Sequence, residues 1–388
     1  MRVVPKAVAA IVFAIVCAGG AILYAIVFAG GATGAPAALY VSATGSDSGL
    51  CSSSAPCKSF DRAYRLAAPG ERVVVTPGSY PPQAINASGR TGARVVFAPP
   101  PGAKVTLAHE LNVFGSHIEF QRMTVSDWYV RGGAEDVTFR GMNVQLFFIR
   151  SASHVRVLGG SVGGIDDGSA PTIGSTYRSI VPSRDIVIDG VRFHDITRRA
   201  SPGAHVQCLF VQSVDGLVIR RSSFRNCAVF DVYVNNIGVG PVPKNMLFEN
   251  DLFGHASSGG FYSLYVRNDP GDTIDGLVVR YNSMVQGPHF DRGAYTRSSV
   301  VANVSPFTQE QCVGGIVFSH NIFDAARCGT GDRRAALGFV DASAFRLALK
   351  AGAAGIDAGD PTDLPRTDIL GRLRSLGKGP DAGAYENG

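Results

Sequence analysis

One ten-residue pattern of apolar and polar positions recurs along the middle of the chain. It reads RDIVIDGVRF at 184–193, DGLVIRRSSF at 215–224, KNMLFENDLF at 244–253 and DGLVVRYNSM at 275–284. Each copy has two polar or Gly residues, then apolar, any, apolar, four mostly polar residues and a large apolar residue. Alternation inside the copy is the mark of a strand. The first apolar positions, Ile186, Leu217, Met246 and Leu277, are separated by 31, 29 and 31 residues. A fixed period of that size means structural repeats that stack on one another. Each repeat is therefore one coil of β-structure.

Weaker copies extend the pattern in both directions. ARVVF (93–97), SHIEFQRMTV (116–125), EDVTFRGMNV (135–144) and SHVRVLGGSV (153–162) precede it, and GGIVFSHNIF (314–323) follows. The early spacings are shorter: Val73 to Val95 is 22, then 23 to Ile118, 19 to Val137 and 18 to Val155. Such a coil is a minimal turn of three short strands, and the later spacing implies an added loop. Residues 163–183 and 285–313 read as two longer connections, and loops on a solenoid gather on one face. Residues 59–67 read as a short amphipathic helix, with Ser59 as N-cap and Phe60, Ala63, Tyr64 and Ala67 on one side. Its role is to cover the open end of the stack, since an uncovered β-end is an aggregation edge.

A second strand set lies between the copies: DWYVR (127–131), VQLFFIR (144–150), QCLFVQ (207–212), FDVYVNN (230–236) and YSLYVRND (262–269). Alternation puts Phe147/Ile149, Leu209/Val211, Val232/Val234 and Leu264/Val266 inward. Tyr129, Phe148, Phe210, Tyr233 and Tyr265 then face outward, beside Arg131, Arg150, Gln212, Asn235 and Arg267. Stacked strands lie ~4.8 Å apart, so these residues form an aromatic row next to a polar, partly basic row. That surface suits an extended sugar chain, because aromatic faces stack on sugar rings and Arg makes paired hydrogen bonds to carboxylates. The plainer reading is that the aromatic stack stabilises the solenoid itself.

Composition adds compartment more than chemistry. The 388 residues carry a formal charge of +5, with 30 Arg against 6 Lys, and no basic block resembles a nucleic-acid arm. Arg2 and Lys6 precede an apolar run from Ala7 to about Ala29, so 1–37 reads as a signal peptide or an N-terminal membrane anchor. Val16 before Cys17 disfavours lipidation. Either way the remainder is exported, secreted or membrane-anchored with the solenoid outside the cell. Six further cysteines read as three local pairs, Cys51 with Cys57, Cys208 with Cys227 and Cys312 with Cys328. An oxidising compartment favours that over zinc, although sequence alone leaves connectivity open.

The opening LYVSATGSDSG (39–49) and PCKSFDRAYRLAAPGERVVVTPGSY (56–80), with the ending FRLALKAGAAGIDAGDP (345–361) and TDILGRLRSLGKGPDAGAYE (367–386), carries a resemblance. The chain resembles the right-handed parallel β-helix, pectate-lyase-like superfamily, over roughly residues 38–387. The resemblance implies an all-β, right-handed parallel β-helix solenoid over 38–335 with a short N-terminal capping helix. It also implies a C-terminal closing module over 336–388 and a monomer. The superfamily includes polysaccharide lyases, glycosidases, epimerases and non-enzymatic surface proteins, and fold does not choose among them.

A lyase needs a base beside a uronate carboxylate, and Ca²⁺ or Arg/Lys to neutralise that carboxylate. A hydrolase needs two carboxyl groups, ~5–5.5 Å apart if retaining or ~6.5–9.5 Å if inverting. The catalytic candidates are Asp231, on the outer parity two residues before Tyr233, then Arg267, Asp269 and His205. The resemblance implies a His–x–acid–Cys segment at His205, but Gln207 stands at the acid position. Asp166 and Asp167 in GGIDDGS are candidate Ca²⁺ ligands, or else a solvated turn. His289, Asp291 and Arg292 sit in the second long connection and read as loop residues. Asp251, Asn282 and Asn321 share one position of the repeat and read as a partial ladder at a turn. Known pectate lyase, polygalacturonase and calcium-repeat motifs are missing. These features point to a protein that binds polysaccharide, acidic in kind, and as an enzyme cleaves it by lyase or hydrolase chemistry. The alternative is a non-catalytic surface or adhesion protein. The enzymatic reading requires Asp231, Arg267, Asp269 and His205 to meet in one groove.

Overall fold

Three parallel ladders of short strands run along the body in the computed structural model, which describes residues 38–174, 181–235, 240–254, 262–374 and 377–387. The first ladder includes Ser183–Asp189, Val214–Arg220, Lys244–Glu249 and Thr273–Arg280. The second includes Arg192–Ile196, Ser223–Cys227, Leu252–Phe253 and Ser283–Met284. The third is the second strand set of the sequence, with Gln207–Val211, Phe230–Val234 and Tyr262–Val266. The chain is a right-handed parallel β-helix. The N-terminal signal or anchor lies outside the described residues; among those described, no helix is long and apolar enough to cross a membrane.

The repeating sequence pattern is the first ladder and the turn after it. Ile186, Leu217, Met246 and Leu277 stand in one register and are at most 1% exposed. Two corners bracket that strand, and each uses a left-handed residue. At the first are His117, Asp136, His154, Asp185 and Asn245, with φ between 50° and 56°. Small polar residues and Gly tolerate this conformation best, which explains the polar pair that opens each copy. At the second are Arg221, Asn250, Tyr281, Ala302 and His320, with φ between 51° and 57°. Core side chains stack coil on coil, as in Phe193–Phe224 at 4.6 Å and Phe224–Phe253 at 5.1 Å.

The second corner is buried, so its backbone N–H groups need partners. Side chains of the next coil supply them. Asp251 Oδ1 accepts Ser222 N at 2.8 Å, Asn282 Oδ1 accepts Asp251 N at 2.8 Å and Asn303 Oδ1 accepts Asn282 N at 3.0 Å. Asn321 Oδ1 then accepts Asn303 N at 2.9 Å and Asp332 Oδ1 accepts Asn321 N at 2.8 Å. The ladder is longer than the three residues legible in the sequence.

Asn303 was hidden because residues 285–313 are not a connection. They hold another coil, Pro288–Phe290, Ser298–Val301 and Val304–Thr308. Its first inward position is Ser298, not an apolar residue, and the Ser298 hydroxyl accepts Leu277 N at 3.2 Å. The pattern is broken there by one polar residue that bonds the backbone. A second correction concerns the first coil: Val73 pairs with Phe97, not Val95. Alternation alone cannot distinguish registers that differ by two.

The helix spans Phe60–Leu66, with the Ser59 hydroxyl accepting Arg62 N at 3.1 Å. Phe60 stacks on Phe97 at 5.1 Å, which plants the helix on the end of the core stack. The three disulfides are Cys51–Cys57, Cys208–Cys227 and Cys312–Cys328. Each closes a short loop, and bridges of this kind typically stabilise by ~2–4 kcal/mol. The C-terminal segment packs along the flank of the later coils, where Leu252, Tyr281, Val304 and Ile322 meet Phe339, Leu347 and Ala382. Arg374 is fully buried there, 4.4 Å over the Tyr281 ring and 3.4 Å from Glu386.

Asp251 is the odd member of the side-chain ladder. Asn282, Asn303 and Asn321 each donate from Nδ2 to a strand carbonyl of the preceding coil, at 3.0, 2.8 and 2.8 Å. Asp251 Oδ2 has no partner, and burial pushes its carboxyl well above the ordinary range. The folded state thus holds a proton that the unfolded state releases, so this site loses stability as pH rises above about 4. Asp251→Asn supplies a donor there without taking up a proton. Urea unfolding is expected to show the variant gaining on the wild type as pH rises, reaching ~1–3 kcal/mol, and Asn303→Ala losing ~1–3 kcal/mol.

Candidate functional site

The outward side chains of the third ladder form one continuous row. In register they are Tyr129, Phe148, Thr172, Phe210, Tyr233, Tyr265 and His289. Rings stack at 4.8 Å for Tyr129–Phe148, 5.3 Å for Phe210–Tyr233 and 5.1 Å for Tyr233–Tyr265. The inward set is as the alternation requires: Phe147, Ile149, Leu209, Val211, Val232, Val234, Leu264 and Val266 are all fully buried. Two rungs were not legible. Thr172 belongs to a two-residue strand inside a long loop and interrupts the aromatic row. His289 continues it from the hidden coil, where PHF aligns with LYV of Leu264–Val266.

Two residues further on, a second row follows: Arg131, Arg150, Gln212, Asn235, Arg267 and Asp291, although Gln212 is only 2% exposed and does not line the cleft between the rows as its outward parity predicted. Backbone hydrogen bonds set this register, as in Asn235 N to Val211 O, Arg267 N to Val234 O and Asp291 N to Val266 O. Arg131 lies 4.7 Å over Tyr129 and Arg150 5.3 Å over Phe148, so both are stacked on the rings. Between the rows is a cleft of about 670 Å³, lined by Phe148, Thr172, His205, Gln207, Phe210, Tyr233, Asn235 and Arg267 among others. Among its described lining residues there is no carboxylate. Gln207 and Asn235 are 3% and 7% exposed, yet Gln207 Oε1 and Asn235 Oδ1 have no hydrogen-bond partner. Buried polar atoms without a protein partner in a cleft are poised for a ligand.

Of the four catalytic candidates, the cleft gathers two. Arg267 lines it, with its Nε donating to Asp269 Oδ1 at 2.6 Å. A terminal guanidinium nitrogen also reaches toward the Tyr233 hydroxyl, and the remaining N–H groups are left for another acceptor. Asp269, and the Tyr233 phenol that Arg267 also faces, hold the guanidinium firmly charged. His205 lines the cleft too, exposed, with its ring 5.4 Å from those of Tyr233 and Phe230. Asp269 stands behind Arg267 as its partner. Burial raises the Tyr233 phenol, while Arg267 opposes the shift.

Asp231 is not on the outer face. It is 1% exposed, and burial pushes its carboxyl well above the ordinary range. The Ser263 hydroxyl and the Gly254 amide face it, but neither closes a hydrogen bond of normal geometry. Strict alternation fails at this corner. Cys208 and Leu209, Asp231 and Val232, and Ser263 and Leu264 are consecutive buried pairs in successive coils. Phe230 takes the outward place instead, 5.3 Å from Tyr233 and 5.1 Å from Tyr265. A strand leaving a corner has not yet settled into its pleat.

Next along the ladder, His289 Nε2 lies 3.3 Å from Asp291 Oδ1, and the Tyr265 hydroxyl donates to Asp291 Oδ2 at 3.3 Å. Burial, then the Asp291 charge, pushes the Tyr265 phenol up to about 12. This group opens on a cavity of about 580 Å³ that also includes Tyr262, Arg292 and Glu310. Asp166 and Asp167 are both exposed and do not form a cation cage. Asp166 Oδ1 accepts Thr197 Oγ1 at 2.6 Å and Arg199 N at 2.5 Å, while Asp167 Oδ1 accepts Ser169 N at 2.8 Å. Among the described residues, no three His, Cys, Asp or Glu side chains converge as metal ligands. These residues do not fit Ca²⁺.

No protein-family model and no characterised protein sequence matches the chain. Among solved structures, pectate lyase Pel9A is similar with a TM-score of 0.50 and 16% identity, over 90% of this chain and 96% of that one. A rhamnogalacturonan lyase aligns with a TM-score of 0.47 and 12% identity, over 90% of this chain and 96% of that one. An alginate lyase from Paenibacillus sp. str. FPU-7 aligns at 0.44 and 13%, over 70% and 94%. The likeness to the first is one of fold.

The buried Asp231 generates a test of its own. Its carboxyl is raised in the folded state, so its contribution weakens as pH rises above about 4. Thermal melts are expected to show Asp231→Asn gaining on the wild type with rising pH. A gain that is flat with pH would return Asp231 to a solvated position.

Proposed function

We propose that the chain engages an acidic polysaccharide along the outer face of the third ladder, and that β-elimination is the reaction this groove is suited to host. The observation that carries this reading is the composition of the cleft. A glycosidase of the usual kind needs two carboxyl groups flanking the scissile bond. The described lining offers none and provides His205, Tyr233 and Arg267 instead. Arg267 presents its remaining N–H groups to a uronate carboxylate and favours the carbanion beside it. His205 takes the proton α to that carboxylate, the electron pair forms the carbon–carbon double bond, and the glycosidic oxygen leaves. Tyr233, kept protonated by burial, gives that oxygen its proton. Stacked rings on either side hold successive sugar rings, and Gln207 and Asn235 accept their hydroxyls. No bound Ca²⁺ enters this scheme. The three disulfides support an exported protein, which is where such a polymer is met.

One observation favours a purely binding role. Among the described residues nothing hydrogen-bonds the His205 ring, whereas a catalytic base is normally oriented by a partner. Polymers of galacturonate, mannuronate, guluronate and glucuronate separate the two readings. The lyase predicts unsaturated uronate products, detected by ultraviolet absorbance. His205→Ala is then expected to lower turnover ~10²–10⁴-fold with binding retained. Arg267→Ala is expected to weaken binding roughly ten- to hundredfold. Binding without unsaturated product favours the adhesion reading, and no binding to any of these polymers rejects both.

A further inference from the structure

A larger cleft lies elsewhere, on the second ladder. It measures about 960 Å³ and is lined by Arg192, Phe193, His194, Asp195, Ser223, Arg225, Asn226, Ala342, Ser343 and Phe345. Its floor is two adjacent strands, with Arg192 beside Ser223 and His194 beside Arg225. Its wall is the tip of the C-terminal hairpin Phe339–Asp341 and Arg346–Leu349.

Three features distinguish it from a gap between packed elements. First, Arg192 and Arg225 are both exposed and neither has a carboxylate within ion-pair distance among the described residues. By contrast, Arg221 pairs with Asp189, Arg280 with Glu249 and Arg156 with Asp185. Second, the one carboxylate in the described lining has both oxygens engaged by neighbouring side chains. Asp195 Oδ2 meets His194 Nδ1 at 2.9 Å and Asp195 Oδ1 accepts Asn226 Nδ2 at 2.5 Å. Third, the wall is pre-set. Asp341 accepts the Ser343 hydroxyl at 2.6 Å, Ala344 N at 3.1 Å and Arg346 at 2.9 Å. That turn holds Phe345 at φ 60°, a conformation bulky residues rarely adopt, with Arg225 5.9 Å over its ring.

We propose that this cleft is a second binding site for an acidic oligosaccharide. Arg192 and Arg225 bind the uronate carboxylates, the Phe345 face stacks on a sugar ring, and Ser223 and Ser343 bond its hydroxyls. The volume falls within the range of ligand sites, about 300–1,000 Å³. The site shares the ligand class of the third-ladder groove but none of its residues. Holding one polymer at two places raises avidity without new contacts.

Calorimetry on the full chain with a galacturonate tetramer, and with its methyl-esterified neutral form, tests this. Two sites are expected for the acid and a weaker response, less sensitive to salt, for the ester. Arg192→Ala with Arg225→Ala is expected to leave one site, and Phe345→Ala to weaken the same site several-fold. The milder Arg192→Lys with Arg225→Lys retains charge but loses the paired geometry, so it is expected to weaken that site with the melting curve unchanged. The two readings fail separately. A single site abolished by Arg267→Ala and untouched by the Arg192 and Arg225 variants overturns the second cleft alone. A single site abolished only by Arg192 and Arg225 variants overturns the groove and supports the cleft.

Discussion

Each coil turns a buried corner between its first and second strands, and the backbone N–H groups there have no water to bond. The side chains from Asp251 to Asp332 meet that need from coil to coil. An unpaired buried amide costs about as much as a lost hydrogen bond, so the corner forms only when the next coil is present and in register. The left-handed residue before each rung turns the chain sharply enough for the side chain to reach. This coupling holds the later coils to one alignment, and everything outside the core inherits it.

The candidate surface is a consequence of that alignment. Tyr233, Tyr265 and His289 come from separate coils, yet register brings their rings together. The same register sets Arg267 between Asn235 and Asp291 on the neighbouring row. The ladder thus sorts into zones: arginines stacked on rings at Tyr129 and Phe148, a cleft around His205 with no carboxylate among its described lining, and a His289–Asp291–Tyr265 group beyond. The C-terminal hairpin acts on a different ladder, where it converts an exposed strand pair into a walled cleft with Arg192 and Arg225 on its floor.

Much of the fold was legible because solenoid interiors repeat. The inward residues of the first ladder, the Ser59-capped helix, the three cysteine pairs and the outward aromatics all follow from periodicity or local spacing. The reading failed where one residue broke a repeat for a polar reason. Ser298 replaced an apolar rung and concealed a coil, and with it Asn303 and His289. At Val73, alternation left a two-residue shift undecided. Asp231 was misplaced because alternation does not hold through a corner.

By itself the sequence determined that β-coils stack, which side chains fill them, and that an aromatic row beside a polar row faces outward. A period-2 pattern repeated at a set spacing encodes all of that locally. Tertiary structure alone decided which of those residues share a site. It buried Asp231, tied Asp269 to Arg267, drew Asp166 to Thr197, and set Phe345 against Arg225 more than a hundred residues away in the chain. Corners and long-range contacts set those positions, and neither carries a period that a sequence can show.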